Sequence, residues 1–288
     1  MKAKSLTLLL VLLTLSTFGQ QWTSITNDKP TAIQTSLVSS TESNITVDVQ
    51  VPGFFTSKVT TPQGEAYVVS TPRTISRSEA GEPELPQFVI PTSIGDHALM
   101  EVKIVTAEYI EYDNMEVAPS KGDFPRSVNP EDVAYTYGEV YQQDAFFPAQ
   151  IAVLDEPYIH RDVRGQNMMV YPFSYNPTTK VLRVYHHIVL SMVNIGVDDR
   201  NVMDQRSKAT TLDPEFKNAY ESRYINYKES MAKYTPIEEN GELLIICHDA
   251  FMTAMAPFVA WKNQIGRPTT MVGTSTTGTT AAAIQCHD

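Results

Sequence analysis

With 288 residues, 42% of them hydrophobic and 19% charged, the chain can bury one large or two smaller globular cores and is too apolar to be disordered. A net charge of −11 disfavours nucleic acid and anionic membrane surfaces as partners. Two cysteines, Cys247 and Cys286, cannot build a disulfide framework.

The N-terminus reads as an export signal. Lys2 and Lys4 precede an apolar run from Leu6 to Leu15, and Thr17-Phe18-Gly19 ends in a small residue that a signal peptidase accepts. The run is short for a bilayer span, and no later segment is long and apolar enough to be one, so no stable membrane span is expected. Residues 1–19 are set aside as a signal peptide. Residues 20–43, rich in Ser, Thr, Gln and Asn, read as a loose lead-in.

From Asn44 the pattern is β. Ile45, Val47, Val49 and Val51 alternate with polar residues at the period of a half-buried strand. Short β-prone runs over 54–60 and 67–70 are split by Pro62-Gln63-Gly64. The stretch 99–112 carries Val102, Ile104, Tyr109 and Ile110, the branched and aromatic types that strands favour. Residues 119–155 lack apolar periodicity and contain "SKGDFPRSVNPED", which reads as an exposed excursion from the sheet. Asn176-Pro177-Thr178-Thr179 predicts a turn between two strands, the second placing Leu182, Val184, Ile188, Leu190 and Met192 on one face. Many short strands with Pro-rich connections and little helical periodicity describe a mainly β, antiparallel sandwich or barrel.

Near Asp198 the texture changes. Asp213-Pro214 predicts a helix start in a segment with many charges and few large aliphatics, read as a linker with a helix lying across surfaces. After Gly241 the apolar run Leu243–Ile246, a helical spacing through Met255, Phe258, Val259 and Lys262, the cap Gly266 and a strand from Thr269 open an α/β sheet. A single βαβ unit cannot cover both faces of a parallel sheet, so this second domain is expected to be only the beginning of one.

Two clusters resemble chemistry. Cys247, His248 and Asp249 are consecutive, and neighbours on a strand point to opposite faces. A nucleophile and its base must instead share one site at hydrogen-bond distance. The trio is therefore read as a strand end, with Cys247 as a small apolar filler and a cleft-lining role open for His248 or Asp249. Cys286-His287-Asp288 is read as a chain-end feature. His186 and His187 are read as structural, since a metal needs further ligands at suitable spacing. Asn44-Ile45-Thr46 matches a glycosylation sequon and is given no function. No phosphate loop, zinc motif or G-x-S-x-G elbow is present, and no catalytic residue is assigned.

Several blocks carry a family resemblance. "YTPIEENGELLII", "FVAWKNQIGRPTTMV" and "TAAAIQ" resemble the start of the mature catalytic domain of gingipain-type cysteine endopeptidases. Upstream, "GEPELP", "VAPSKG", "YTYGEVYQQDAFFP", "DEPYIHRDVRGQ" and "VYPFSYNPTTKVLRVY" resemble the propeptide of the same family. The resemblance implies a secreted or cell-surface zymogen. Its β-rich prodomain assists folding and holds a caspase-like α/β peptidase latent. The expected organisation is a signal over 1–19, a β-rich propeptide over 20–205, a linker with a helix over 206–233, and the truncated start of the catalytic domain over 234–288. The family's catalytic His lies in a Gly-His-Gly context with the Cys later; neither context occurs here, so this chain is expected to be inactive alone. No cofactor is expected in it, and the calcium that family members bind belongs to the fuller catalytic domain. The implied partners are the chain's own downstream peptidase domain and, for the whole enzyme, protein substrates.

The resemblance also implies maturation after Lys233, freeing Tyr234, with Arg223 and Lys228 as secondary positions. The Pro-restrained loop over Ser120–Pro130 is expected to reach the peptidase and block its cleft, the alternative being that its basic residues are ordinary solvated loop charges. Family enzymes prefer Lys or Arg before the cut bond, and the loop offers Arg126 first, stiffened by Pro125, and Lys121 second. The alternative reading is a secreted β-sandwich binding or adhesion module with an inactive peptidase-like tail.

Overall fold

The computed structural model describes residues 19–76, 79–161, 163–203, 214–227 and 243–285. The expected signal peptide, apart from Gly19, and the Lys233–Tyr234 bond lie outside the described residues. The chain forms two compact units, one holding the N-terminal three quarters together with residues 215–234, the other built on the C-terminal segment.

The first unit contains thirteen strands among its described residues. In chain order they are β1 (Gln21–Ser24), β2 (Gln34–Ser40), β3 (Asn44–Gln50), β4 (Gly53–Thr61), β5 (Gly64–Ser70), β6 (Ile75–Ser76) and β7 (Pro86–Ser93). They continue with β8 (Ala98–Tyr112), β9 (Ala152–Leu154), β10 (Tyr158–His160), β11 (Val163–Val170), β12 (Phe173–Asn176) and β13 (Val181–Val197). Every pairing among them is antiparallel. Three sheets result: β1-β4-β5; β10-β11-β7-β6 with β9 on β11; and β12-β13-β3-β2 with β8 on β13. None closes on itself, so the fold is an open sandwich and not a barrel.

The long strand β13 organises the interior. Leu182, Val184, Ile188, Leu190 and Met192 are all fully buried, as their alternation predicts. Ile188, Leu190 and Met192, with Ile45, Val47 and Val49 of β3, pack against Ile90 of β7 and Met168 and Val170 of β11. Leu182 and Val184, with Phe173 and Tyr175 of β12, pack against Phe54 of β4 and Val69 of β5. One sheet thus carries two cores, each covered by a different partner sheet. The strand passes from one to the other around Tyr185, where it bulges against β8 between Tyr185 and His187. The β12–β13 hairpin forms where the sequence places it: the Asn176 side chain accepts from the amides of Thr178 (3.0 Å) and Thr179 (3.2 Å) and shapes the turn.

Two expectations are corrected. The lead-in over 20–43 contains β1 and β2: Trp22 sits edge-on to Phe55 and β1 pairs with β4, while β2 extends the central sheet beside β3. Polar side chains on edge strands hide such segments from a hydrophobic pattern. The excursion over 119–155 is only partly exposed, because Ser120, Ile151 and Ala152 are buried and β9 pairs with β11.

Helix α1 (Pro214–Arg223) carries the chain back onto this sandwich. Tyr220, Tyr224 and Tyr227 are buried, and the Arg161 guanidinium lies 3.6 Å from the centre of the Phe216 ring. Just after the helix, Asn226 is buried like a strand residue. Its side chain accepts from Ser93 N (2.8 Å) and donates to Ser93 O (2.9 Å) and to Ser40 Oγ (3.2 Å). The segment read as a surface linker therefore contributes aromatic side chains to the interior.

In the second unit β14 (Leu243–Cys247) pairs in parallel with β15 (Thr269–Gly273) through α2 (Met252–Gln264), followed by α3 (Thr274–Thr277) and α4 (Ala281–Gln285). Asn263 ties helix to strand through both Thr269 N (2.8 Å) and Thr269 O (3.1 Å). Gly266 takes φ +80° at the end of α2, the left-handed conformation that its cap position requires. No residue of α2 is buried, and Leu243, Leu244, Phe258 and Trp261 are exposed.

Candidate functional site

None of the adjacent Cys, His and Asp side chains forms a catalytic arrangement. The Cys247 thiol is buried and its Sγ lies 3.4 Å from the His248 carbonyl. His248 accepts from Ala250 N through Nδ1 (3.2 Å) as a helix cap. Asp249 accepts from Thr274 Oγ1 (3.0 Å), Ser275 N (3.0 Å) and Ser275 Oγ. Those bonds, led by the Ser275 hydroxyl, hold its carboxyl below the usual range. All three residues thus serve the βα connection. His187 bridges Asp48 of β3 (2.7 Å) and Glu108 of β8 (3.4 Å) across the central sheet. Among the described residues no cluster of His, Cys, Asp and Glu is arranged to hold a metal ion.

The loop between Ser120 and Gly138 is the site with a functional shape. Its outgoing stem follows Ala118, whose N–H donates to Tyr67 O (2.8 Å), and Ser120, whose N–H donates to Glu82 O (2.7 Å). Its returning stem is fixed by the Tyr137 hydroxyl, 2.8 Å from Thr61 Oγ1, and by Tyr141 OH donating to Val117 O (2.9 Å). Burial raises the Tyr141 phenol's pKa far above its ordinary value, so the hydroxyl is a permanent donor here.

Within the loop the two basic residues play different parts. Lys121 is used internally. Its ammonium donates to Pro130 O (2.7 Å), lies 4.4 Å from the centre of the Tyr135 ring, and sits near the Glu84 carboxyl. Burial raises the Glu84 pKa, and the Ser76 hydroxyl and Lys121 charge partly offset this. Arg126 stands at the corner of a turn closed by Val128 N donating to Pro125 O (2.9 Å). It is exposed and has no side-chain partner among the described residues. The structure thus separates the two sequence candidates: Lys121 closes the base of the turn, and Arg126 is free at its tip. The loop also carries Asp123, Ser127, Glu131 and Asp132, and its distinctive group is the Arg126 guanidinium. It can offer an outward guanidinium on a pre-bent chain, the group that pairs two hydrogen bonds with a carboxylate. The expected processing pair, Lys233 and Tyr234, lies outside the described residues. Arg223, a secondary processing position, ends α1 with its guanidinium 5.3 Å from the Tyr158 ring centre and 3.4 Å from the Tyr158 hydroxyl.

Sequence reading missed the residues that hold the loop. Gly81 and Gly138 contact each other by backbone, with Gly138 N donating to Gly81 O (2.9 Å). A glycine in each of the blocks "GEPELP" and "YTYGEVY" was the available signal.

An open antiparallel sandwich thus presents the free basic side chain Arg126 on a doubly anchored loop. The family model described as Propeptide_C25 matches residues 26–230, and the chain belongs to that propeptide family. Among its relatives, gingipain R1 of Porphyromonas gingivalis is 35% identical over 233 residues, which are 80% of this chain and 23% of the relative. Gingipain R2 of P. gingivalis strain W83 is 34% identical over 235 residues, 81% of this chain and 31% of the relative. The chain thus spans less than a third of the length of these two relatives. A solved complex of the P. gingivalis RgpB pro- and mature domains contains a chain 33% identical to this one with a TM-score of 0.62, covering 68% of this chain and 98% of that one. A structure concerning zymogenic latency of gingipain K from P. gingivalis matches with a TM-score of 0.51 at 21% identity, covering 61% of this chain and all of that one, a likeness of fold alone.

Proposed function

We propose that the sandwich is the prodomain of a secreted or surface-bound gingipain-like cysteine endopeptidase and keeps it latent by laying the Arg126 turn in the cleft. The observation that carries this reading is the free Arg126 guanidinium at the corner of a closed turn, on a loop held at both stems. An acidic specificity pocket that accepts a basic residue before the scissile bond would bind it through charge-assisted hydrogen bonds. The loop is ordered in advance by Lys121 and the two stems, so little ordering cost remains to be met on binding. The existence of a solved complex between pro- and mature domains of a relative supports a peptidase as the partner. On this reading the segment from Tyr234 begins that peptidase, protein substrates belong to the whole enzyme, and the exposed apolar side chains of β14 and α2 are covered by the remainder of its domain.

The test is titration of mature RgpB with the purified 288-residue chain. Reversible, saturable inhibition is expected. A chain that leaves the peptidase fully active at micromolar concentration overturns the reading.

A further inference from the structure

The loop's two stems are not held by the central sheet. Beside the bonds to Tyr67 and Thr61, one short segment, Gly81–Glu84, reaches both. On the outgoing side Gly81 N donates to Ser120 O (3.0 Å), Ser120 N to Glu82 O (2.7 Å) and Glu84 N to Ala118 O (3.0 Å). On the returning side Gly138 N donates to Gly81 O (2.9 Å). The carbonyl and amide of a single residue, Gly81, therefore join the stems that flank Arg126.

This junction works only without side chains. Gly81 has φ +84°, and a Cβ there would lie 3.0 Å from Gly138 N and 3.1 Å from Gly138 Cα. A Cβ on Gly138 would lie 2.9 Å from Gly81 O and 3.2 Å from Gly81 C. The blocking atoms are backbone, which cannot swing aside as a side chain would. A third close approach lies next to this segment: a Cβ on Gly122, at φ +83°, would lie 2.9 Å from Ala80 Cβ. Such contacts fix the separation of the stems, and with it the position and direction of the turn between them.

We propose that the Gly81–Gly138 junction sets the placement of the Arg126 turn, so that both glycines are positioning residues for inhibition. The inference rests on the proposed role of Arg126 and adds what governs it. Widening the junction leaves both hydrophobic cores intact and lets the loop sample orientations in which Arg126 misses its pocket.

Gly138→Ala is the informative substitution. Gly138 has φ −82° and ψ −178°, backbone that any residue adopts, so alanine there tests the close approach without torsional strain. Inhibition of mature RgpB by the 288-residue chain is expected to weaken roughly tenfold, the scale of re-ordering a few loop side chains. The thermal midpoint of the chain should stay within about 3 °C, since the junction, though Gly81 is buried, lies outside both hydrophobic clusters. On an Arg126→Ala background the same substitution should have little further effect, because the turn no longer carries the group being placed. Unchanged inhibition by Gly138→Ala, a loss that merely follows a large fall in midpoint, or an undiminished effect on the Arg126→Ala background each overturns the inference. If Arg126→Ala alone inhibits as well as the unchanged chain, the parent reading falls instead. Should Gly138→Ala not fold, Tyr137→Phe releases the neighbouring hydroxyl from Thr61 and should weaken inhibition several-fold (about one hydrogen bond's worth); no change there overturns the inference equally.

Discussion

His187 shows how a single side chain can make the sandwich sensitive to pH. It lies between Asp48 and Glu108, on the strands to either side of β13. The hydrogen bond to Asp48 raises its pKa most; partial burial opposes this, and Glu108 adds to the rise. The folded protein therefore keeps this proton to a higher pH than the unfolded chain, whose histidines titrate near ~6.5. The stabilisation is complete below about pH 6.5 and is lost as pH rises through the folded value. The thermal midpoint should decline across this window, and His187→Gln should flatten the decline. Identical pH profiles for the two proteins would contradict the assignment. Arg164 of β11 is a second residue whose loss should be felt throughout. It is 1% exposed and donates to four carbonyls, those of Gly95, Ala98, Arg200 and Asn201, each at 2.9 Å, and to Asp198 (3.3 Å). Hydrogen bonds from Arg200, with the Arg164 charge adding, hold the Asp198 carboxyl at about 2, so the cluster is ionised throughout the physiological range. Arg164→Ala would strand these acceptors and should lower the thermal midpoint by on the order of 10 °C, readable by calorimetry. No sequence pattern announces such a residue: an arginine in "DVRGQ" looks like a loop charge until the fold brings 95–98 and 198–201 around it.

At the scale of elements, legibility followed the burial pattern. β3 and β13 were readable because one face of each is fully buried, and alternation records that directly. β1 and β2 were not, because their stability comes from neighbours and their own side chains are half-buried or exposed. Helix α1 was legible as a helix but not as part of a core. Its apolar surface is aromatic, Phe216 and Tyr220, which a count of large aliphatics overlooks. That packing bears on maturation. Arg223 is helical and its guanidinium engages Tyr158, whereas a protease requires an extended, accessible strand of substrate. Maturation is therefore expected after Lys233, leaving α1 on the prodomain. On the proposed reading, the mature N-terminus of the full-length protein, read by N-terminal sequencing, should be Tyr234; a start at Tyr224 would mean that α1 is dislodged before cleavage.

For the whole molecule, the proposed division of labour is between a sandwich that supplies rigidity and a loop that supplies recognition. Composition and spacing made the sandwich legible, and resemblance to a family made the loop legible. The sequence ranked Arg126 above Lys121 only on the stiffness of Pro125 and did not show that Lys121 is engaged within the loop. Their difference is tertiary: Pro130 O and Tyr135 engage one, and the turn closed by Pro125 and Val128 frees the other. The two substitutions should accordingly act differently. Lys121→Ala removes a strut and leaves the anchor, so inhibition should weaken modestly. Arg126→Ala removes the charge-assisted pair itself. The decisive measurement is the inhibition constant of the Arg126→Ala chain against mature RgpB, beside that of the unchanged chain. A loss of at least about a hundredfold, the scale of a buried charge-assisted pair left unmade, is predicted. Equal inhibition constants would contradict the account, because the cleft would then be closed by some other part of the prodomain.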